Sequence, residues 1–219
     1  LTTPLMKNPE KTIFNGSERM ELRHPMPGVQ ILYTLDGKDP DTTSSTVYQK
    51  PIPITEPTNV KARAIMQGWY ASEINEWVVY AGGIKPSESV LLSVPDPKHA
   101  LQGGESLIDG QKAESNNLMV NWLGFRNNSC KVRFRFNQGD SIGKVVLSMS
   151  NNHGSYIFPP ESVIVHGGND TNHLKPIGRL IPVQPNKYGK VGNQAYTVPI
   201  KKGTYKYILV EVNPVKSLP

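Results

Sequence analysis

The chain has 219 residues, one cysteine and a formal net charge of +6. This length accommodates one large or two modest domains, because domains commonly run to about 100–150 residues. A single cysteine excludes an internal disulfide framework, and no apolar run approaches the roughly 20 residues that a membrane-spanning helix needs. The 19 prolines and 19 glycines are spread along the chain, which favours an all-β protein of short strands joined by turns.

The charge is distributed unevenly. Residues 1–83 carry 8 Lys+Arg and 9 Asp+Glu, whereas residues 84–219 carry 16 and 9, so their net charges are −1 and +7. A basic domain can bind nucleic acid or an anionic polysaccharide, but only through a contiguous basic patch. We expect an ordinary solvated surface and no nucleic-acid partner, because the lysines in question fall in predicted turns without interleaved aromatic residues: Lys144, Lys175, Lys187, Lys190, Lys201 and Lys202.

Residues 1–83 contain about seven short runs of strand-forming residues, with a turn roughly every ten residues. The runs are Thr12–Phe14, Glu18–Leu22, Val29–Leu35, Val47–Tyr48, Ile52–Ile54, Val60–Ile65 and Ile74–Tyr80. Asp-Gly and Asp-Pro after Leu35 are strong turn signals. This spacing predicts a β-sandwich.

The central part of this region carries a family resemblance. Residues 31–40 (ILYTLDGKDP) are followed by Ser45, Tyr48, Pro51-Ile52, and then VKARA at 60–64 with Gly68 and Ser72. This pattern resembles the chitobiase/β-hexosaminidase C-terminal-type domain over nearly all of residues 8–81. The resemblance implies a small immunoglobulin-like sandwich that accompanies catalytic domains of bacterial glycan-degrading enzymes without taking part in the chemistry.

A second domain is predicted after Ala81-Gly82-Gly83, so we assign residues 1–83 and 84–219 to separate domains. In residues 131–136 apolar and charged residues alternate with the period of a strand, which turns Val132, Phe134 and Phe136 to a core. Residues 138–140 (QGD) then lead into a second apolar row, Val145, Leu147 and Met149, so a hairpin is the economical interpretation. Val163 and Val165 supply a third row, and three strands so close together predict a β-sandwich.

The order of motifs in residues 84–219 resembles discoidin-like, coagulation-factor type C domains. The motifs are residues 90–92 (VLL), 107–110 (LIDG), 122–125 (WLGF), the hairpin, 154–159 (GSYIFP) and the strand 206–212. The resemblance implies a galactose-binding-like jelly roll, a fold common among carbohydrate-binding modules. Members usually close the barrel with a further strand after the segment that matches residues 213–219. We therefore expect a jelly roll without its last strand, and a gap or a substitute strand beside residues 206–212.

Two sequence features could suggest a catalytic serine or a zinc site, but we expect neither. Residues 139–143 (GDSIG) match the nucleophile-elbow pattern, which requires a strand running into a helix, whereas here they join two predicted strands. The five histidines, His24, His99, His153, His166 and His173, lack zinc-ligand spacing. No catalytic residue is assigned.

Two groups of residues are candidates for binding a calcium ion. Asp36, Asp39 and Asp41 could supply oxygen ligands, but each also suits a turn, and the turn interpretation is preferred. In carbohydrate-binding relatives of the second domain a structural calcium often occupies the loop that corresponds to residues 107–110. That resemblance implies Asp109 and Ser115 as ligands, although the acidic residue that usually completes the site would lie in the missing strand.

Glycan binding requires an apolar or aromatic face for sugar C–H groups and polar groups for hydroxyls. Asn151, Asn152, His153 and Tyr156 form the richest predicted loop, and Asn121, Trp122 and Arg126 form a second candidate lip. Trp122 and Phe125 could instead close the bottom of the core. In the first domain, Trp69 and Tyr70 follow Gly68 and are expected in a turn or a domain contact.

We therefore predict a non-catalytic accessory region of a secreted bacterial glycan-degrading enzyme, of which a chitobiase-like β-N-acetylhexosaminidase is one option, with glycan binding by the second domain. The alternative is a structural spacer or docking platform for a catalytic domain of the same polypeptide, without a ligand of its own. The chain opens at Leu1 without an initiator methionine or signal peptide. We expect a piece of a longer protein that is extracellular, periplasmic or on the bacterial cell surface.

Overall fold

The computed structural model describes residues 1–9, 11–101, 103–110, 113, 122–137, 141–184 and 191–216. These residues form β-strands and three short 3₁₀ helices, Pro97–His99, Gly103–Leu107 and His153–Ser155, so the all-β prediction is confirmed. The chain divides into two compact units, Leu1–Gly83 and Ile84–Pro219. None of the described helices is long and apolar enough to span a membrane.

In the first unit, the residues that the structure describes form nine short strands. They are β1 Leu5–Met6, β2 Ile13–Phe14, β3 Arg19–Met20, β4 Leu22–Arg23, β5 Gln30–Thr34, β6 Thr46–Val47, β7 Ile52–Pro53, β8 Thr58–Ile65 and β9 Asn75–Ala81. A five-stranded sheet has the order β2-β9-β8-β5-β6, and the pairs β1-β4 and β3-β7 form two-stranded sheets. Alternation along β8 buries Val60, Ala62 and Ala64, and Met20, Ile52 and Val79 complete the centre of the core.

The described residues of the second unit form seven strands. They are β10 Glu88–Leu91, β11 Cys130–Arg135, β12 Ser141–Asn151, β13 Ser162–Gly168, β14 Lys175–Leu180, β15 Gly192–Thr204 and β16 Tyr207–Asn213. A five-stranded antiparallel sheet has the order β10-β11-β16-β13-β14, and β12 and β15 form a separate antiparallel pair. Residues of both sheets share one apolar core, with Val132, Val163, Val165, Val198 and Val210 buried at its centre.

The predicted hairpin between residues 131–136 and 144–150 is wrong. β11 pairs with β10 and β16, whereas β12 pairs with β15 over ten residue pairs. The apolar rows were predicted correctly, since Val132 and Phe134 belong to the same core as Val145 and Leu147. Because these rows belong to different sheets and pack against a shared core, the two strands do not pair.

The predicted gap beside residues 206–212 is also wrong. β16 lies inside the five-stranded sheet and pairs with β11 on one side and β13 on the other. Ile208 and Val210 are buried, as the alternation indicated. Both edges of this strand are therefore satisfied by strands of the same unit, and no further strand is needed there.

Candidate functional site

A groove opens in the second unit between β15 and the chain that follows β14. β14 and β15 cross closely at Gly178, where an added Cβ atom would overlap the carbonyl oxygen of Pro199. Beyond this crossing, residues 180–183 and 194–197 line a shallow, open groove of about 430 Å³. It is lined by Asn151, Pro159, Leu180, Ile181, Pro182, Val183, Gln194, Ala195, Tyr196 and Thr197.

A hydrogen-bonded pair of side chains forms the polar part of the lining. Asn151, the last residue of β12, is buried; its Nδ2 donates to Tyr196 Oη at 2.8 Å, and Tyr196 Oη donates back to Asn151 Oδ1 at 3.0 Å. Strand register places both side chains on the same sheet face, because Tyr196 lies opposite Leu147, whose side chain shares that face with Asn151. Burial raises the pKa of the Tyr196 hydroxyl, while the hydrogen bond with Asn151 opposes this shift. The phenol is therefore neutral at physiological pH and acts as a hydrogen-bonding group.

Two glutamine side chains near the groove have unsatisfied polar atoms. Gln194, two residues before Tyr196 on the same strand face, lines the groove, and its Nε2 is buried without a hydrogen-bond partner among the described residues. Gln184 Nε2 donates to the carbonyl oxygens of Pro159 and Pro160 at 3.3 and 3.0 Å, but its Oε1 is buried and unpartnered within the same described part of the chain. Leaving such a group unpaired costs about 1–3 kcal/mol. A polar ligand or ordered water in the groove would supply the missing partner of Gln194.

Apolar side chains form the opposite wall of the groove. Ile181 and Val183 are 64% and 91% exposed, and Pro159 and Pro182 lie beside them in the lining. Exposed aliphatic side chains that lie together on one groove can pack against an apolar face of a ligand. The groove therefore combines an apolar wall with amide and hydroxyl groups.

The predicted loop after β12 forms a compact turn next to the groove. Asn152 caps the 3₁₀ helix His153–Ser155, since its Oδ1 accepts from the backbone N–H of Ser155 at 3.2 Å. The His153 ring packs on Phe158 at a centroid distance of 5.7 Å, and its Nε2 is buried without a partner among the described residues. Tyr156 has a left-handed backbone with φ of 58° and a side chain that is 75% exposed. Of the predicted glycan-binding residues that the structure describes, Asn151 alone lines the groove.

The second predicted lip lies in the segment before β11. Arg126 is exposed and its Nε lies 3.6 Å from Asp96 Oδ2. The neighbouring Gly124 exchanges backbone hydrogen bonds with this region, donating to His99 O and accepting from Asp96 N. Trp122 is half-buried, and Asn121 lies outside the described residues.

Each acidic residue considered as a calcium ligand lies in a different environment. Asp41 accepts hydrogen bonds from the side chains and backbone amides of Thr43 and Ser44, which hold the pKa of its carboxyl well below its usual range. Asp36 and Asp39 form ion pairs with Lys38 and Lys61. Asp109 is exposed after the 3₁₀ helix Gly103–Leu107, and Ser115 lies outside the described residues. Within the described ranges no three His, Cys, Asp or Glu residues form a group that could hold a metal ion, so calcium at Asp109 and Ser115 stays a prediction.

The nucleophile-elbow motif is placed in a strand as far as the structure describes it. Ser141 is the first residue of β12 and pairs with Thr204, while Gly139 and Asp140 lie outside the described residues. A nucleophile elbow requires a strand that turns into a helix. The surroundings of Ser141 therefore lack that feature.

Sequence reasoning missed Gln194, Tyr196, Ile181 and Val183. A signal for β15 exists in the alternation of Gln194, Tyr196, Val198 and Ile200, all of which share one face of the strand. Its polar residues and Pro199 obscured the pattern. Nothing in the local sequence indicates that Ile181 and Val183 lie across a groove from that strand.

Comparison with known proteins gives a family match for the first unit. Residues 9–75 match the model of the chitobiase/beta-hexosaminidase C-terminal domain. Similar solved structures include the C-terminal domain of a chitobiase from Bacteroides fragilis, with 15% identity, a TM-score of 0.39, and coverage of 62% of this chain and 87% of that chain. They also include a SusE-like protein, with 12% identity, a TM-score of 0.38, and coverage of 84% and 81%.

No curated protein gives a significant match. The family match confirms the resemblance of the first domain to the chitobiase/β-hexosaminidase C-terminal domain over residues 9–75.

Proposed function

We propose that this chain is a non-catalytic accessory region of an exported bacterial glycan-degrading enzyme, and that its second unit binds glycan. The groove of the second unit carries the proposal, because it combines an amide donor without a partner in the described part of the chain, a hydroxyl–amide pair and an exposed aliphatic wall. The family match of residues 9–75 supports the accessory role, since this family is named for a C-terminal domain of glycan-degrading enzymes.

The chemistry of the lining suits a neutral sugar. Sugar rings present C–H groups that can pack on Ile181 and Val183, and hydroxyls that can bond to Gln194 and Tyr196. The described residues that line the groove include no Asp, Glu, Lys or Arg. These described lining residues supply no charge for a charged sugar, and they include no pair of carboxyl groups of the kind that most glycoside hydrolases use.

The turn beside the groove extends the proposed site. Tyr156 is exposed and can contact a second sugar unit, while Asn152 and His153 shape the turn that holds it. We assign the second unit to the discoidin-like jelly rolls within this proposal. Calcium at Asp109 and Ser115 would serve as a structural ion of the loop and would take no part in binding chemistry.

A glycan array followed by calorimetry on the complete chain tests the proposal. Gln194→Ala and Tyr196→Phe should each weaken the binding of a neutral glycan about two- to tenfold, since a hydrogen bond contributes about 0.5–1.5 kcal/mol. Gln67→Ala and Tyr70→Phe are matched controls, because both residues are exposed in the first unit. Equal effects in test and control variants, or no glycan binding at all, would contradict the proposal.

A docking platform for a catalytic domain is the second candidate, and an exposed aromatic pair in the first unit favours it. Trp69 and Tyr70 are 55% and 95% exposed on a turn in which Trp69 N donates to Met66 O at 3.1 Å and Gly68 has φ of 80°. Exposed aromatic residues are enriched at protein interfaces. An array without hits, together with loss of association with the neighbouring catalytic domain on Trp69→Ala/Tyr70→Ala, would establish this function instead.

A further inference from the structure

Five lysines of the second unit lie at the end opposite the groove. Strand register places them there, since Ile142 and Lys144 pair with Gly203 and Pro199, whereas the groove residue Asn151 pairs with Gly192 at the far end of the same two strands. Gly167 pairs with both Lys175 and Ile208, which brings the starts of β14 and β16 to this end as well. We call the five residues the basic end: Lys144, Lys175, Lys201, Lys202 and Lys206.

Part of the basic end lies on a well-packed corner between β15 and β16. The ring of Tyr205 packs against Gly167 and Gly203, where added Cβ atoms would lie only 2.8 and 3.0 Å from Tyr205 atoms. Its Oη donates to Lys201 O at 2.6 Å, and Lys206 N donates to Asn169 Oδ1 at 3.1 Å. Three of the lysines are therefore attached to a well-packed corner between β15 and β16.

In the described part of the chain, the charges of the basic end have no directly paired carboxylate. None of the five lysines forms an ion pair there, whereas Lys7, Lys11, Lys38 and Lys61 of the first unit all do. Asp170 and Glu88 carry negative charge in neighbouring segments, but Asp170 Oδ2 lies 2.6 Å from His173 Nδ1 and Glu88 Oε2 lies 3.9 Å from Arg135 Nη1, so neither pairs with a lysine of the basic end. Cations that outnumber the acids around them repel one another and attract anions.

An aromatic ring lies beside one of these lysines, Lys206, and beside Arg133 of the five-stranded sheet. The Tyr207 ring centroid is 5.9 Å from Arg133 Cζ and 5.5 Å from Lys206 Nζ. Sequence reasoning found no aromatic residue among the basic ones, because the lysines considered there did not include Lys206. Folding brings Arg133, which is distant in sequence, to the same ring.

We propose that the basic end, Tyr207 and Arg133 form a second ligand site, which binds an acidic polysaccharide bearing carboxylate or sulfate groups. The lysines and Arg133 would pair with the anionic groups, and the Tyr207 ring would pack against the C–H face of a sugar. Single-stranded nucleic acid fits less well, because its binding sites stack successive bases on several aromatic rings. This site is separate from the groove and does not depend on the proposed binding of neutral glycan.

Binding of polygalacturonate to the complete chain, with neutral dextran as the reference polymer, tests this site. We expect binding of polygalacturonate alone, with an affinity that falls steeply as sodium chloride rises. Lys201→Gln/Lys202→Gln/Lys206→Gln should weaken binding about tenfold, as expected for three partly exposed ion pairs. Lys50→Gln/Lys98→Gln/Lys216→Gln removes the same charge from exposed positions elsewhere and should change the affinity by less than about twofold.

Three results would overturn the proposal. They are the absence of polygalacturonate binding at low salt, an equal loss in the two triple variants, and binding only to oligo(dT) or to phosphatidylserine vesicles. Melting temperatures of both variants serve as the folding control. Binding of any neutral glycan at the groove should be the same in the chain with and without the three basic-end substitutions, so failure here is distinguishable from failure of the proposed function.

Discussion

The Cys130 thiol lies at the first residue of β11, opposite Val212, and burial raises its pKa from 9.0 to about 12. Because the thiolate is the reactive form, we expect the native protein to react with iodoacetamide at pH 8 far more slowly than the urea-unfolded chain. The unfolded thiol ionises first as the pH rises, so the stability linked to this group is lost between about pH 9 and 12. Cys130→Ala should remove that part of the pH dependence in denaturant titrations. Native labelling at the rate of the unfolded chain would contradict the burial of this thiol.

Asp41 stabilises the turn after Pro40 through hydrogen bonds with the side chains and backbone amides of Ser44 and Thr43, which lower the pKa of its carboxyl. A carboxyl with a lowered native pKa contributes stability above its unfolded pKa of about 3.9 and loses it as the pH falls further. Asp41→Ala should therefore lower the melting temperature at pH 7, with a difference from the parent chain that shrinks in acid. Glu56→Ala, at an exposed position of the same unit, is the comparison variant. A pH-independent difference would argue against the ionised turn.

At the scale of elements, the close crossing of β14 and β15 should tolerate no side chain at position 178. Gly178→Ala would press its Cβ onto the backbone of Pro199 and Ile200, so we expect a loss of about 1–3 kcal/mol in the free energy of unfolding. Gly143→Ala is the matched control, because its Cβ would meet only the Lys202 side chain at 3.8 Å. Chemical denaturation measures both. Similar stabilities for the two variants would show that the strands can separate at this point.

Because β16 lies at the centre of its sheet, we expect its backbone amides to exchange slowly with solvent. Its amides bond to β11 and β13, so exchange with deuterium at Ile208 and Val210 should be among the slowest in the second unit. Amides of the edge strand β10 should exchange faster. Mass spectrometry or NMR would detect the order, and fast exchange throughout β16 would contradict the sheet order.

The sequence predicted which residues face a core better than it predicted which strands pair. Val132, Val163, Ile208 and Val210 are buried as the period-two pattern indicated. Alternation specifies the face of a strand, however, and not its neighbour, so β11 and β12 were joined in a hairpin although their apolar rows meet across a core. Asn151 was found through its polar loop, whereas Gln194 and Ile181 were missed because the groove arises from segments that meet only in the folded chain.

At the scale of the whole molecule, the chain combines two compact units with different electrostatic character. The first is nearly neutral and pairs most of its lysines with carboxylates. The second carries the excess positive charge; at one end it has a groove whose described lining residues are uncharged, and at the other it has the basic end. A neutral glycan at the groove should therefore bind with little dependence on salt, in contrast to an acidic polymer at the basic end. Calorimetric titration of each ligand across a range of sodium chloride concentrations measures the difference, and a steep salt dependence of neutral-glycan binding would contradict the assignment to the groove.

The most direct test of glycan binding at the groove is an NMR titration of the complete ¹⁵N-labelled chain with the best neutral glycan from the array. The account predicts saturable shifts of the Gln194 side-chain amide and of the backbone amides of residues 194–197, with Gln67 unchanged. A Gln194 side-chain amide that stays at its position while other surfaces shift, or no shift at saturating glycan, would contradict it.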